Sequence, residues 1–190
     1  MTVQELVDRW PAPLTDTMIK EGLEVGTTEQ GMLDYRGVVI GWPFFKVSFE
    51  NADFSHCSLP GDQIGGRATF KGCLFEKSKF TGSIGAELTD CRFIDARFRN
   101  MTWGGQLNDC LFENTELRTV RWYDDNIQLN RIVFKNCYFH RCQMMGVRFL
   151  DCTFENCRYL GNSFADSYFI NCGVTERDFG DSILLDATFD

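Results

Sequence analysis

Nine cysteines and two histidines are the side chains of this 190-residue chain best suited to nucleophilic, redox or metal chemistry. Their spacing argues against each of these uses. No Cys-x-x-Cys pair occurs, and no cysteine and histidine cluster has the separation that a tetrahedral zinc site requires. Nine is odd, and the first 30 residues, which include Glu5, Asp8, Arg9 and Glu21, do not read as a secretion signal. Disulfides need an oxidising compartment, so reduced, buried thiols in a cytoplasmic protein are expected. His56 and His140 stand too far apart to share a site. The paired carboxylates Asp124 and Asp125, followed by Asn126, have the composition of a turn. The pairs Gly65-Gly66 and Gly104-Gly105 lack the Lys-Ser/Thr that follows a phosphate-binding loop. The expectation is no catalytic residue, no metal and no cofactor.

What positions the cysteines is a repeat. From Leu129 the chain runs Leu129, Phe134, Phe139, Met144, Phe149, Phe154, Tyr159, Phe164, Phe169, Val174, Phe179, Leu184 and Phe189, thirteen large apolar residues at steps of five. Shorter runs precede it: Phe44, Phe49, Phe54, Leu59 and Ile64, then Phe70, Phe75 and Phe80, then Leu88, Phe93, Phe98 and Trp103, then Leu107, Phe112, Leu117 and Trp122. Seventeen of the 18 phenylalanines fall on these centres, Phe45 being the exception, and all nine cysteines lie two residues before one. The two signals are independent and give the same register.

A period of five suits neither a helix, where each step turns the side chain by about 140°, nor a straight strand, whose period is two. It suits a short extended piece that bends. Centre and minus-two residue then point inward together, and a turn of about 90° after the centre brings the next pair inward again. Four sides make a coil of about 20 residues, and coils stack at the strand spacing of about 4.8 Å. The unit, as in Cys152-Thr153-Phe154-Glu155-Asn156 or Ala52-Asp53-Phe54-Ser55-His56, resembles that of the pentapeptide-repeat proteins over residues 42–190. The resemblance implies an all-β fold, a right-handed quadrilateral β-helix solenoid, here of about seven coils.

Stacking the centres assigns four sides. Side one takes Phe49, Phe70, Leu88, Leu107, Leu129, Phe149, Phe169 and Phe189. Side two takes Phe54, Phe75, Phe93, Phe112, Phe134, Phe154 and Val174. Side three takes Leu59, Phe80, Phe98, Leu117, Phe139, Tyr159 and Phe179, and side four Ile64, Ile84 or Gly85, Trp103, Trp122, Met144, Phe164 and Leu184. The expected core is led by Phe49, Phe54, Phe75, Phe93, Phe112, Phe134, Phe139, Phe149, Phe154, Phe164, Phe169 and Phe179. Every register break falls at the corner between sides four and one, leaving the last three coils regular. Cys73, Cys91 and Cys110 form one column, with Cys137 under Cys157 and Cys152 under Cys172; parallel stacked side chains have the wrong torsion for disulfides.

Residues 1–41 are expected to form a helical cap and lead-in. Thr2 with Glu5 reads as a capping box ahead of Val3, Leu6, Val7 and Trp10 on one helical face, and Thr15-Asp16 as the start of a second short helix ending at Gly22. The other end carries no matching helix. The resemblance implies an end-to-end homodimer there.

With the cysteines turned inward and the two histidines outward in different coils, function falls to the surface, and an enzyme is not expected. The net charge of −8 argues against direct nucleic-acid binding, and no apolar run approaches the roughly 20 residues of a membrane span. The resemblance implies a protein partner, with duplex-DNA mimicry toward DNA gyrase or another type II topoisomerase as one reading: inhibition, or protection from poisons. Duplex DNA would carry roughly 20 charges over the roughly 34 Å of seven coils, so a mimic must segregate its acids. Glu176, Asp178, Asp181, Asp186 and Asp190 are such a cluster in the last coil. The alternative is an interaction scaffold or immunity-type protein that binds its partner through the irregular corner at Asp124, Asp125 and Asn126, without mimicry. A small-molecule cleft at Trp103 and Trp122 is a third reading.

Overall fold

The computed structural model describes residues 1–41, 45–59, 68–122 and 127–190. Phe44, Ile64, Gly65-Gly66 and the candidate site residues Asp124, Asp125 and Asn126 lie outside the described residues. Short parallel strands coil about one axis in a β-solenoid of about seven turns with four faces. Among the described residues, face one is an eight-stranded ladder from Ser48–Glu50 to Thr188–Phe189. Its register pairs Phe49 with Phe70, Leu88, Leu107, Leu129, Phe149, Phe169 and Phe189 in turn. Face two stacks Phe93, Phe112, Phe134 and Phe154. Face three stacks Leu59, Phe80, Phe98, Leu117, Phe139 and Tyr159. The long strands Lys79–Ile84, Arg97–Trp103 and Glu116–Trp122 turn the corner into face four, where Ile84, and not Gly85, is the centre beneath Trp103 and Trp122.

The bend has a single backbone cause. Among the described residues, eighteen non-glycine residues have positive φ, and every one stands two places after a centre, from Lys46 to Asp186. One left-handed residue turns the chain while the next strand stays parallel to its neighbour below. Twelve of the 18 are Asn or Asp, the side chains that tolerate this region best. Thr119 (φ 53°) is β-branched and strained there. Thr119→Asn is therefore expected to raise stability by about 1 kcal/mol, read as a higher denaturant midpoint; no rise would mean the left-handed turn is not what limits that corner.

Inside, rings stack coil on coil. Phe75, Phe93 and Phe112 lie parallel at centroid distances of 4.9 and 4.6 Å, and Phe149, Phe169 and Phe189 at 4.7 and 4.9 Å. Between these large layers run the minus-two residues, and they are more than small. Each of eight thiols donates to the carbonyl of the centre one coil below, as Cys152 Sγ does to Leu129 O (3.1 Å) and Cys142 Sγ to Leu117 O (3.2 Å). Ser78, Thr115 and Ser167 use their hydroxyls in the same way. A carbonyl beside a left-handed turn needs a donor, and this layer supplies one. All nine cysteines carry free thiols. Because the acceptor is already in place, Cys152→Ser should change stability by less than about 1 kcal/mol; a loss well beyond that, read by urea unfolding, would show that sulfur's bulk and not its hydrogen bond is what the layer needs.

The last coil departs from the regular course the repeat suggests. Its residues on faces two and three form a 3₁₀ turn, Glu176–Phe179, in place of strands, opened by a reciprocal Thr175–Asp178 capping box. The turn swings Phe179 over the end of the core, against Phe154, Tyr159, Phe164, Phe169 and Phe189. Phe179 is fully buried. Among the described residues no strand continues face two above Thr153–Glu155, so Phe154, unlike the other phenylalanines of the expected core, is only partly buried. The C-terminal end thus carries a closing turn, which the unbroken five-residue spacing does not disclose.

At the other end, α1 (Val3–Asp8) has the Thr2–Glu5 capping box and α2 (Asp16–Lys20) is capped by Thr15. Only Leu6 of α1 is buried; Trp10 lies beyond the helix and donates its indole N–H to Arg36 O. Leu33–Asp34 pairs in parallel with Ala52–Asp53, and bridges join Val39 to Ser58 and Leu14 to Ile40. Tyr35 stacks on Phe54 at 5.0 Å, so the lead-in closes the bottom of the core on faces two and three. Gly37 is required where it stands: its φ is +76°, and an added Cβ would lie 2.6 Å from the Leu6 backbone.

Candidate protein-binding faces

Eight of the nine cysteines are buried, and Cys157 and the two histidines are half-buried. Burial pushes the Cys57 thiol up to about 12 and Cys142 up to about 11, so neither is a thiolate at neutral pH. His56 occupies a left-handed turn position, and His140 lies on face three beside Tyr138, ring centroids 5.8 Å apart. No group of three metal-ligating side chains occurs among the described residues. Trp103 and Trp122 are parallel at 6.2 Å and buried, with Trp103 packed on Phe98 and Phe112. They are core rings at the corner and do not form a cleft wall. Gly105 beside them is explained by close approach: a Cβ there would stand 1.7 Å from Ala86 O.

The acids of the last coil are tied into its local structure. Asp178 accepts from Thr175, Asp181 accepts from Gly161 N at 3.0 Å, and Asp186 is a left-handed turn residue. Glu176 opens the 3₁₀ turn, with Arg177 next to it. Further up the chain Asp90, Asp95, Asp109, Asp151 and Asp166 are also turn formers. Six of the 27 acids therefore follow from the bend, whichever way the surface is used.

On faces one and two, three acids are answered by bases from the adjacent coil. Lys71 pairs with Glu50 at 2.9 Å, Arg131 with Asp109 at 2.6 Å and Lys135 with Glu113 at 3.2 Å. Face three differs. Its strands point Lys79, Arg97, Arg99, Arg118 and Arg158 outward against the single carboxylate of Glu116. Glu116 is gripped by Arg99 at 2.7 Å and Arg118 at 2.8 Å, and the Arg99 hydrogen bond, ahead of Arg118, holds its carboxyl below the ordinary range. Arg158 lies over the Tyr138 ring at 5.4 Å. At the corner with face two, Lys77, Lys79, Asp95 and Arg97 line a cleft of about 350 Å³. A positive face on a chain of net charge −8 is what the net charge hides. It was available from the sequence once outward residues were summed side by side.

No helix among the described residues is long and apolar enough to cross a membrane. No family model matches the sequence, and no curated protein matches it. Solved structures do. A trypsin-treated variant of QnrB1, described as a plasmid-mediated fluoroquinolone resistance protein, is 13% identical with a TM-score of 0.49, over 84% of this chain and 90% of that one. A second QnrB1 variant is 17% identical with a TM-score of 0.45, over 84% and 92%. HetL, a pentapeptide repeat protein involved in heterocyst differentiation regulation from the cyanobacterium Nostoc sp. strain PCC 7120, is 10% identical with a TM-score of 0.36, over 90% and 92%. Such identities say nothing of partners. Because left-handed residues bend its backbone two places after one centre after another and parallel ladders close the coils on four sides, the chain is a β-solenoid built on a five-residue repeat.

Proposed function

We propose that the chain is a non-catalytic protein-binding solenoid, a scaffold whose flat faces carry different charge, and that it does not imitate duplex DNA. The observation that carries this is face three, where the described strands set five cations against one carboxylate. A duplex mimic needs uninterrupted negative charge along the rod. The inward thiols and the turn duties of the acids support the same reading. The test is a gyrase supercoiling assay with and without a fluoroquinolone, at graded protein up to tens of micromolar. Unchanged supercoiling and unchanged drug sensitivity are expected. Inhibition or protection that fades steeply with salt would establish mimicry instead.

A second copy meeting the last coil is the further partner we assign. Ile183 and Leu185 are exposed beside that end, at 60% and 68%. In a symmetric junction the carboxylates of Glu176, Asp178, Asp181, Asp186 and Asp190 would face their own copies, so salt should strengthen association by screening them. Sedimentation at low and high salt reads this, and a monomer under both conditions refutes it.

A further inference from the structure

On faces one and two, coil-to-coil neighbours of like position carry opposite charge: Glu50 beneath Lys71, Glu113 beneath Lys135. On face three the same register puts Lys79 directly beneath Arg97, and Arg99 beneath Arg118. Like charges directly opposite one another in a ladder are unfavourable. All four side chains are exposed, and neither Lys79 nor Arg97 has an ion-pair partner among the described residues. Arg99 and Arg118 recover part of this cost by sharing Glu116, which also stands above Arg97 in the ladder, while the Lys79–Arg97 pair has no such compensation below it. Lys77, paired with Glu76 at 2.9 Å, and Asp95 complete the wall of the adjoining cleft.

The face also displays how it treats a carboxylate. Glu116 sits between Arg99 and Arg118, bonded to both. Arg97 and Arg99 project from one strand two residues apart, roughly 6.6 Å along it, which is also the spacing of alternate side chains in an extended peptide. We propose that face three, from the Lys77–Lys79–Arg97 cleft to Arg99 and Arg118, docks an extended acidic segment of a partner protein, with carboxylates at alternate positions. The proposal rests on the reading of the chain as a protein-binding solenoid. A peptide is favoured over a nucleic-acid strand because Asp95 and Glu116 interrupt the cations. A continuous phosphodiester would lie against both carboxylates, whereas a peptide can place neutral residues there.

The test is fluorescence anisotropy at low salt with a labelled ten-residue peptide of alternating Glu and Ser, and with a thymidylate decamer. The peptide is expected to bind and the decamer to bind more weakly. Lys79→Glu with Arg97→Glu should weaken peptide binding by about tenfold or more. Lys71→Glu with Arg131→Glu, the same charge change on face one, should weaken it far less. Circular dichroism checks that both exposed double variants fold. Absent peptide binding, equal loss in both variants, or tighter binding of the decamer each overturns the proposal. None of these outcomes bears on the gyrase result, so the two readings fail separately.

Discussion

Phe93→Ala should cost about 3–5 kcal/mol of stability, the range for removing a fully buried ring. Phe93 is completely buried on face two, between Phe75 and Phe112, with Phe80, Phe98 and Trp103 around its edge. Two features place the expected loss high in that range. Each stacked or edge-on ring pair adds about 0.5–1.5 kcal/mol beyond area burial. The walls also cannot close on the cavity, because the strands above and below are pinned, Phe75 N to Arg92 O at 2.8 Å and Leu111 N to Cys91 O at 2.9 Å. Phe154→Ala removes the same atoms from a partly buried site near the end of the ladder, where Phe179 covers it from a turn. It should cost less, and it should loosen the last coils before the rest, because each coil leans only on its neighbours. Guanidinium unfolding reads both. An unchanged midpoint for Phe93→Ala would contradict the stacked core, and equal losses in the two variants would contradict the difference in closure.

The alignment of centres into four faces was legible because one geometric requirement, an inward large residue every fifth position, leaves a mark at each step. The 3₁₀ turn of the last coil was not, since Val174 and Phe179 keep the five-residue spacing while the chain between them stops extending. Phe179 remains inward by either path, so burial alone gives no sign of the change. The cysteines were legible as small and inward but not as donors. Ser78 and Thr115 at the same position were the available hint, because hydroxyls enter a core only with an acceptor. Charge was the least legible. Asp90, Asp95 and Asp186 read as surface acids until their left-handed φ shows that the bend selects them, and face three appears only when Lys79, Arg97, Arg99, Arg118 and Arg158 are summed apart from the other faces.

Asp34→Ala is the second substitution expected to have a large effect, and it acts on the opposite end. Asp34 is buried where the N-terminal cap meets the first paired strand, and its carboxylate accepts from Arg36 Nε at 2.9 Å, Arg36 Nη2 at 2.8 Å, Arg9 Nη1 at 2.8 Å and Arg9 Nη2 at 2.6 Å. Arg9 follows α1 directly, so this cluster fastens the cap over the Tyr35–Phe54 stack. Removing a partner from a buried pair costs about 3–5 kcal/mol. Here the stranded guanidinium groups are 28% and 31% exposed and regain some water, so a loss of about 2–3 kcal/mol is expected. The hydrogen bonds from Arg36, then those from Arg9, hold the Asp34 carboxyl well below its ordinary value of 3.8. A carboxyl held low in the folded chain binds fewer protons than in the unfolded one. Its stabilisation is therefore complete above the ordinary carboxylate range, begins to drain as pH enters that range, and is gone only when pH has fallen through the much lower folded value. The wild-type chain should lose stability on acidification more steeply than Asp34→Ala, the gap between the two narrowing as pH falls below about 4 and still open at about pH 3, because the folded carboxyl gives up its charge only at far lower pH. Denaturant midpoints measured from neutral to acidic pH decide it: parallel curves would show that the cluster contributes nothing linked to the Asp34 proton, and that the cap is held by Leu6, Leu14 and the ring stack alone.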